Sequence, residues 1–187
     1  MTEGIFEIIV HGRAGQGAKS MAQIIAEAAM FKGNYIQTFP SYGAEKTGAP
    51  VQAYVRISKK PVKVHTPVRK ADAVIVLDPT LLETINIKNN ITDKSVLILN
   101  TVKPLEKIKQ ELKLNCRIVA FDAGSVSRKH LGNDFPNMPL LGAFVKSTNI
   151  LDLKGVEEHV GCIFLHKLGK EMTYKNIAAV KEGFETA

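Results

Sequence analysis

The residues best suited to chemistry are concentrated in one stretch, His11-Gly-Arg-Ala-Gly-Gln-Gly-Ala-Lys-Ser20. Phe6-Glu-Ile-Ile-Val10, mostly apolar and β-prone, leads into it. Met21, Ile24, Ile25, Ala28 and Ala29 follow it at three- and four-residue spacing, the stripe of an amphipathic helix. The unit reads strand, glycine turn, helix. Glycine permits positive φ and close backbone approach. The first helical turn presents unpaired N–H groups at the positive end of the helix dipole, which makes it a ready anion site. Gly12, Arg13, Gly15, Gln16 and Gly17 are therefore the candidate binding residues. Arg13 brings a guanidinium able to grip a phosphate or carboxylate at two points. The same glycines would also serve tight strand-to-helix packing with no ligand.

The glycine order argues against the common nucleotide sites, with a stand-alone NTPase left as the alternative. Gly12, Gly15 and Gly17 spell G-x-x-G-x-G, whereas the dinucleotide fingerprint is G-x-G-x-x-G with an acidic residue about twenty positions on. Gln37 and Thr38 stand where that ribose-binding carboxylate belongs. A triphosphate loop requires lysine directly after its second glycine, and here Ala18 intervenes before Lys19 and Ser20. One extra residue turns both side chains by about 100° around the helix axis. Asp78, after an apolar strand, is the residue that would hold the metal of such an NTPase.

Composition narrows the classes further. With 187 residues, 45% of them hydrophobic, the chain reads as one domain over residues 1–187. It has neither a long apolar run nor a signal-peptide pattern, so a cytoplasmic location with no membrane attachment is expected. The net charge of +7 suits an anionic ligand or an acidic partner as well as a solvated lysine surface. Nucleic acid is not expected, because aromatics are few and no nucleic-acid-binding motif is present. Cys116 and Cys162, the only cysteines, read as two buried thiols and cannot by themselves hold a four-thiolate iron–sulfur cluster. His130, His159 and His166 lack metal-ligand spacing and read as surface or packing residues, and His11 as a hydrogen-bonded structural one.

These residues need a frame. Tyr35–Phe39 reads as a second strand and Pro40–Pro50 as a long loop. Val51, Ala53, Val55 and Ile57 alternate with polar positions, and Val62 and Val64 alternate with Lys63 and His65. These two segments predict an antiparallel hairpin at a sheet edge. Ala73–Leu77, Ser95–Leu99 and Arg117–Phe121 are continuously or largely apolar, as buried parallel strands are. A short helix after Asp78, an amphipathic one around Leu105, Ile108 and Leu112, and helical patterns from Leu140 onward complete the pattern. Asp122 and Asp152 read as caps. The expected fold is α/β: a doubly wound, mostly parallel sheet with an antiparallel edge hairpin and a helical C-terminal region.

Three segments carry a resemblance. His11-Gly-Arg-Ala-Gly-Gln-Gly17, Phe39-Pro-Ser-Tyr-Gly-Ala-Glu-Lys-Thr-Gly-Ala-Pro50 and Pro136-Asn-Met-Pro-Leu-Leu-Gly142 resemble the landmarks of gamma subunits of 2-oxoacid:ferredoxin oxidoreductases. The wording is most like the pyruvate-specific branch. The resemblance implies a complex with alpha, beta and delta chains that oxidatively decarboxylates a 2-oxoacid, passing the acyl group to coenzyme A and electrons to ferredoxin. It implies that thiamine diphosphate and iron–sulfur clusters sit on partner chains. The gamma chain contributes to coenzyme A handling and assembly, carries no catalytic residue and is inactive alone. Lys46 departs from the family, which commonly has arginine after Glu45; a lysine is a point charge where an arginine would make a fork. Phe39, Tyr42, Glu45 and Lys46 are the candidate interface residues, because a long irregular loop mixing aromatic and charged residues suits a subunit contact.

Overall fold

The computed structural model describes residues 4–42 and 48–187. Its centre is a six-stranded sheet with strand order β2-β3-β1-β4-β5-β6. The strands are β1 (Ile5–Arg13), β2 (Tyr35–Tyr42), β3 (Pro50–Ser58), β4 (Ala73–Val76), β5 (Val96–Asn100) and β6 (Arg117–Phe121). β1, β4, β5 and β6 are parallel, and β3 runs antiparallel to both β1 and β2.

One face of the sheet is covered by α1 (Ala18–Phe31), α4 (Asn137–Thr148) and α5 (Leu153–Thr186), with α3 (Ala123–Leu131) against α5. Ile8, Val10 and Ile75 point into this core and meet Met21, Ile25, Leu141 and Phe144. The period of two sends Ile9, Val74 and Val76 to the other face, under Ile87, Ile91 and Ile108 of α2 (Leu105–Leu112). β4 is thus buried on both sides, which is why its sequence is apolar without alternation. The stripe expected on α1 is buried residue for residue. Within α5, Gly169 adopts φ 76° and ψ 172° and breaks the helix. The two arms lie antiparallel, with Lys181 3.4 Å from Glu157 across the hairpin.

The edge hairpin differs from expectation. β3 pairs with β2, and residues 62–65 form no strand. The reason is Arg56, which is 1% exposed and takes the Val64 and Thr66 carbonyls at 3.3 and 2.7 Å. Those backbone groups therefore bond a guanidinium instead of a strand. β2 also continues past Phe39 through Pro40 to Tyr42, shortening the expected loop. Proline is tolerated there because β2 is an edge strand. Strand β1 runs on through Gly12 and Arg13, so the turn proper is residues 14–17. Cys162 is exposed, against the expectation of two buried thiols, while Cys116 is buried.

Candidate functional site

β1 turns into α1 on one face of the sheet, while β4 turns into a 3₁₀ segment (Pro79–Glu83) on the other. Between two such neighbouring strands a doubly wound sheet opens a crevice at its carboxyl ends. Arg13, Gln16, Asp78 and Thr80 meet in that crevice.

The turn is shaped by close approach. A Cβ on Gly12 would stand 3.0 Å from Leu77 Cδ1 and 3.2 Å from Ala18 Cβ, so only glycine lets β4 and α1 come so near. Gly17 precedes α1 with φ 83°, a left-handed conformation that favours glycine, and its own Cβ would lie 3.0 Å from Asn137 Cγ. The first residue of α4 therefore abuts the first turn of α1. Neither helix has a side-chain cap, and neither carries an acidic residue in its first turn. The amino termini of α1 and α4 thus meet at the Gly17–Asn137 contact, where Asn137 Oδ1 accepts the Met138 N–H at 3.1 Å and the remaining first-turn N–H groups are left for an anion.

Gln16 closes the turn. Its Oε1 accepts from the Arg13 backbone N–H at 2.7 Å, and its Nε2 donates to Asp78 at 2.9 Å. Arg13 donates from Nε to Asp78 at 3.0 Å, from one terminal nitrogen to the Gly48 carbonyl at 3.1 Å, and from the other to Thr80 Oγ1 at 2.8 Å. Three of its five donors are thus engaged internally, and two remain. Burial pushes the Asp78 carboxyl up, but hydrogen bonds from Thr80 and Gln16, with the Arg13 charge, outweigh it and hold it below the usual range. With its carboxylate committed to these contacts, Asp78 is not placed as a free metal holder.

Beyond Asp78 the crevice widens into a cleft of about 800 Å³ over the ends of β4, β5 and β6. Asn100 ties its walls together, donating to the Leu77 carbonyl at 3.0 Å and accepting from the Gly124 N–H at 3.2 Å. Asp122 caps α3 through the Ser125 N–H at 2.8 Å, as its sequence position predicts. Arg128 lies between Asp122 and Asp134. Asp78, Glu83, Glu111, Asp122 and Asp134 outnumber Lys103 and Arg128 in the lining, so the cleft is acidic within a basic chain.

The other candidates are distributed as follows. Gly12 and Arg13 at the end of β1 and Gly15, Gln16 and Gly17 in the turn come together at one strand-to-helix junction. Phe39 is half-buried, its ring 5.1 Å from that of Tyr54 and 5.7 Å from the Arg56 guanidinium carbon. Tyr42 ends β2, while Glu45 and Lys46 lie outside the described residues. His11 is 1% exposed, and against the hydrogen-bonded role expected of it its Nε2 has no partner among the described residues. Burial lowers its pKa to about 4, so it is neutral at physiological pH. His130 and His159 bond Glu182 and Glu27 at 2.6 and 2.9 Å, in agreement with packing roles. Among the described residues no group of three His, Cys, Asp or Glu side chains is placed to hold a metal, and no helix is long and apolar enough to cross a membrane. Sequence reasoning missed the junction roles of Thr80, Asn100 and Asn137. A polar residue at the carboxyl end of a buried parallel strand was the available signal for Asn100.

Residues 7–186 match the family model described as pyruvate ferredoxin/flavodoxin oxidoreductase. The chain is 40% identical to pyruvate synthase subunit PorC of Thermotoga maritima, over 96% of this chain and 93% of that one. It is also 40% identical to the pyruvate/ketoisovalerate oxidoreductases common subunit gamma of Thermococcus litoralis, over 97% and 96% of the two. The crystal structure of pyruvate oxidoreductase subunit PORC from Thermotoga maritima superimposes with a TM-score of 0.87 at 38% identity, over 98% of this chain and 97% of that one. A strand–turn–helix that matches the motif, an α4 landmark packed on that turn and end-to-end similarity agree: the chain belongs to the pyruvate ferredoxin/flavodoxin oxidoreductase family, as a gamma-type subunit.

Proposed function

We propose that this chain is the gamma subunit of a pyruvate:ferredoxin oxidoreductase, which converts pyruvate and coenzyme A to acetyl-CoA and CO2 with reduction of ferredoxin. Its part is to hold the phosphates of coenzyme A and to join the alpha, beta and delta chains. The observation that carries the coenzyme A role is the meeting of the α1 and α4 amino termini at Gly17 and Asn137. Such termini favour an anion and bring no carboxylate of their own. The acid-lined cleft beside them is unfavourable for phosphate, which supports a reading with the anion on the α1–α4 side of Asp78. Anchoring the phosphates fixes where the thiol arm can reach, a contribution of positioning rather than of bond-making. Thiamine diphosphate and the iron–sulfur clusters are assigned to partner chains, where they supply decarboxylation and electron transfer. The segment from Phe39 to Lys46, with Tyr42 and Glu45, is assigned to a subunit contact. The relative named as common to pyruvate and ketoisovalerate oxidoreductases suits a gamma chain that leaves the choice of 2-oxoacid to other chains.

The test is Arg13→Ala in the assembled enzyme. An anion held here would take its two remaining donors, and losing a charge-assisted contact costs about 1.5–3 kcal/mol. The KM for coenzyme A is expected to rise about ten- to a hundredfold, with the KM for the 2-oxoacid unchanged. The internal contacts of Arg13 with Asp78, Gly48 and Thr80 favour a second reading, a strut without a ligand. In that case Arg13→Ala lowers all activity equally and leaves the coenzyme A KM where it was.

A further inference from the structure

The positive charge of this chain is not evenly spread. At the end of the sheet opposite the glycine turn, Lys59 and Lys60 follow the last residue of β3, and Arg69 stands just before β4. Lys94 precedes β5, Lys113 ends α2, and Arg117 opens β6 opposite Val96. All six are exposed, and none makes an ion pair among the described residues. The strand order β3-β1-β4-β5-β6 spreads them over about 20 Å, at roughly 4.8 Å per strand. Asp72 and Asp93 are the carboxylates among them, and Asp72 is turned inward to accept the Glu7 N–H at 2.8 Å.

This end also carries uncovered apolar surface. α1 finishes here with Met30 48% and Phe31 74% exposed, and β2 starts with Tyr35 52% exposed. Tyr35 pairs with Ser58 and so stands beside Lys59 and Lys60, while Phe31 lies against the His159 ring at 5.1 Å, with Lys32, Lys154, Asp152 and Glu158 around the same hollow. Exposed apolar residues at one side of this end and cations across the rest give a surface that an acidic, partly apolar partner would complement. The apolar part sits on the α1–β2 side and the cations over β3 to β6. A membrane-binding face instead mixes both along one amphipathic element. Among the described residues no helix or ribbon projects from this end to enter a nucleic-acid groove.

We propose that the sheet end formed by Phe31, Tyr35, Lys59, Lys60, Lys94 and Lys113 docks a sibling subunit of the same complex through a carboxylate-rich surface. It lies roughly 25 Å from the glycine turn, the length of β1 at about 3.3 Å per residue. The existence of sibling subunits rests on the function proposed above; the choice of this surface does not. Opposite charge steers the encounter, and apolar burial holds the docked state.

The experiment mixes the purified full chain with the remaining subunits of its complex and follows association at 50 and 500 mM NaCl. The variant Lys59→Glu/Lys60→Glu/Lys94→Glu changes only exposed side chains, and its thermal melt controls for folding. Its association rate is expected to fall at least tenfold at 50 mM, with the difference largely gone at 500 mM, where the screening length is much shorter. In a second variant, Phe31→Ser/Tyr35→Ser, dissociation is expected to quicken at both salt concentrations. Equal rates for the charge-reversed and natural chains overturn the proposal. So does a loss seen only against phosphatidylglycerol vesicles or duplex DNA. If the natural chain fails to join those subunits, the function proposed above fails instead.

Discussion

Replacing Arg56 by methionine is expected to destabilise the chain by about 3–5 kcal/mol, the range for removing one partner of a buried ion pair. Arg56 is 1% exposed, although arginine is almost never buried without partners. Its partners are Glu7 at 2.8 Å, Gln37 at 2.8 Å and the carbonyls of Val64 and Thr66. The guanidinium also lies over the Phe39 ring at 5.7 Å. One side chain therefore fastens β1, β2, β3 and the segment that follows β3. Methionine fills much of the volume but leaves the Glu7 carboxylate buried without its counter-charge. A domain of this size loses about 2–4 °C of Tm per kcal/mol, so the melt should fall by roughly 10 °C. Arg56→Lys should recover little, since an ammonium cannot span these acceptors. Glu7→Gln added to Arg56→Met should recover part of the loss by removing the stranded charge. Calorimetry on the single and double variants measures both. A single variant within about 1 kcal/mol of the natural chain would show that the network does not hold this edge, since buried pairs otherwise cost more to break.

Gly142→Ala is expected to cost as much as the severe end of core overpacking, about 3 kcal/mol. A Cβ on Gly142 of α4 would stand 2.6 Å from the Phe184 backbone nitrogen of α5, and closer still to the Val180 carbonyl. Gly183 mirrors this, its Cβ falling 2.6 Å from Pro139 Cα. The helices touch backbone to backbone at these two glycines, so neither side has a flexible chain end that can yield. Forcing them apart also shifts Asn137, five residues before Gly142, away from Gly17. Loss of stability should therefore come with loss of whatever the turn binds. Gly161→Ala is the control: its Cβ would meet only Ile177 Cδ1 at 3.8 Å, an ordinary contact, and its melt should be close to the natural one. Equal effects at Gly142 and Gly161 would contradict the close-approach account.

Much of the architecture is written locally. The α1 stripe, the continuously apolar β4 and the caps at Asp122 and Asp152 are short-range patterns, set by helical period, two-sided burial and side-chain bonds to N–H groups three residues on. The glycine turn is equally local, because its positive φ values at Gly15 and Gly17 are a property of residue type. Tertiary structure decided which strand β3 pairs with. The alternation at Val62 to His65 is a sound strand pattern, but a guanidinium from β3 claims the carbonyls a partner strand would need. It also decided what Arg13 does. In sequence the residue is a cation in an anion-binding turn; in the fold its charge is shared with Asp78, sixty-five positions away. Asn137 joins the turn only because α4 and α5 close on each other through glycines. The net charge of +7 gave no direction until the strand order gathered six cations at one end, none in an ion pair among the described residues. Composition counts charges, and only the order of strands in the sheet sets which of them are neighbours.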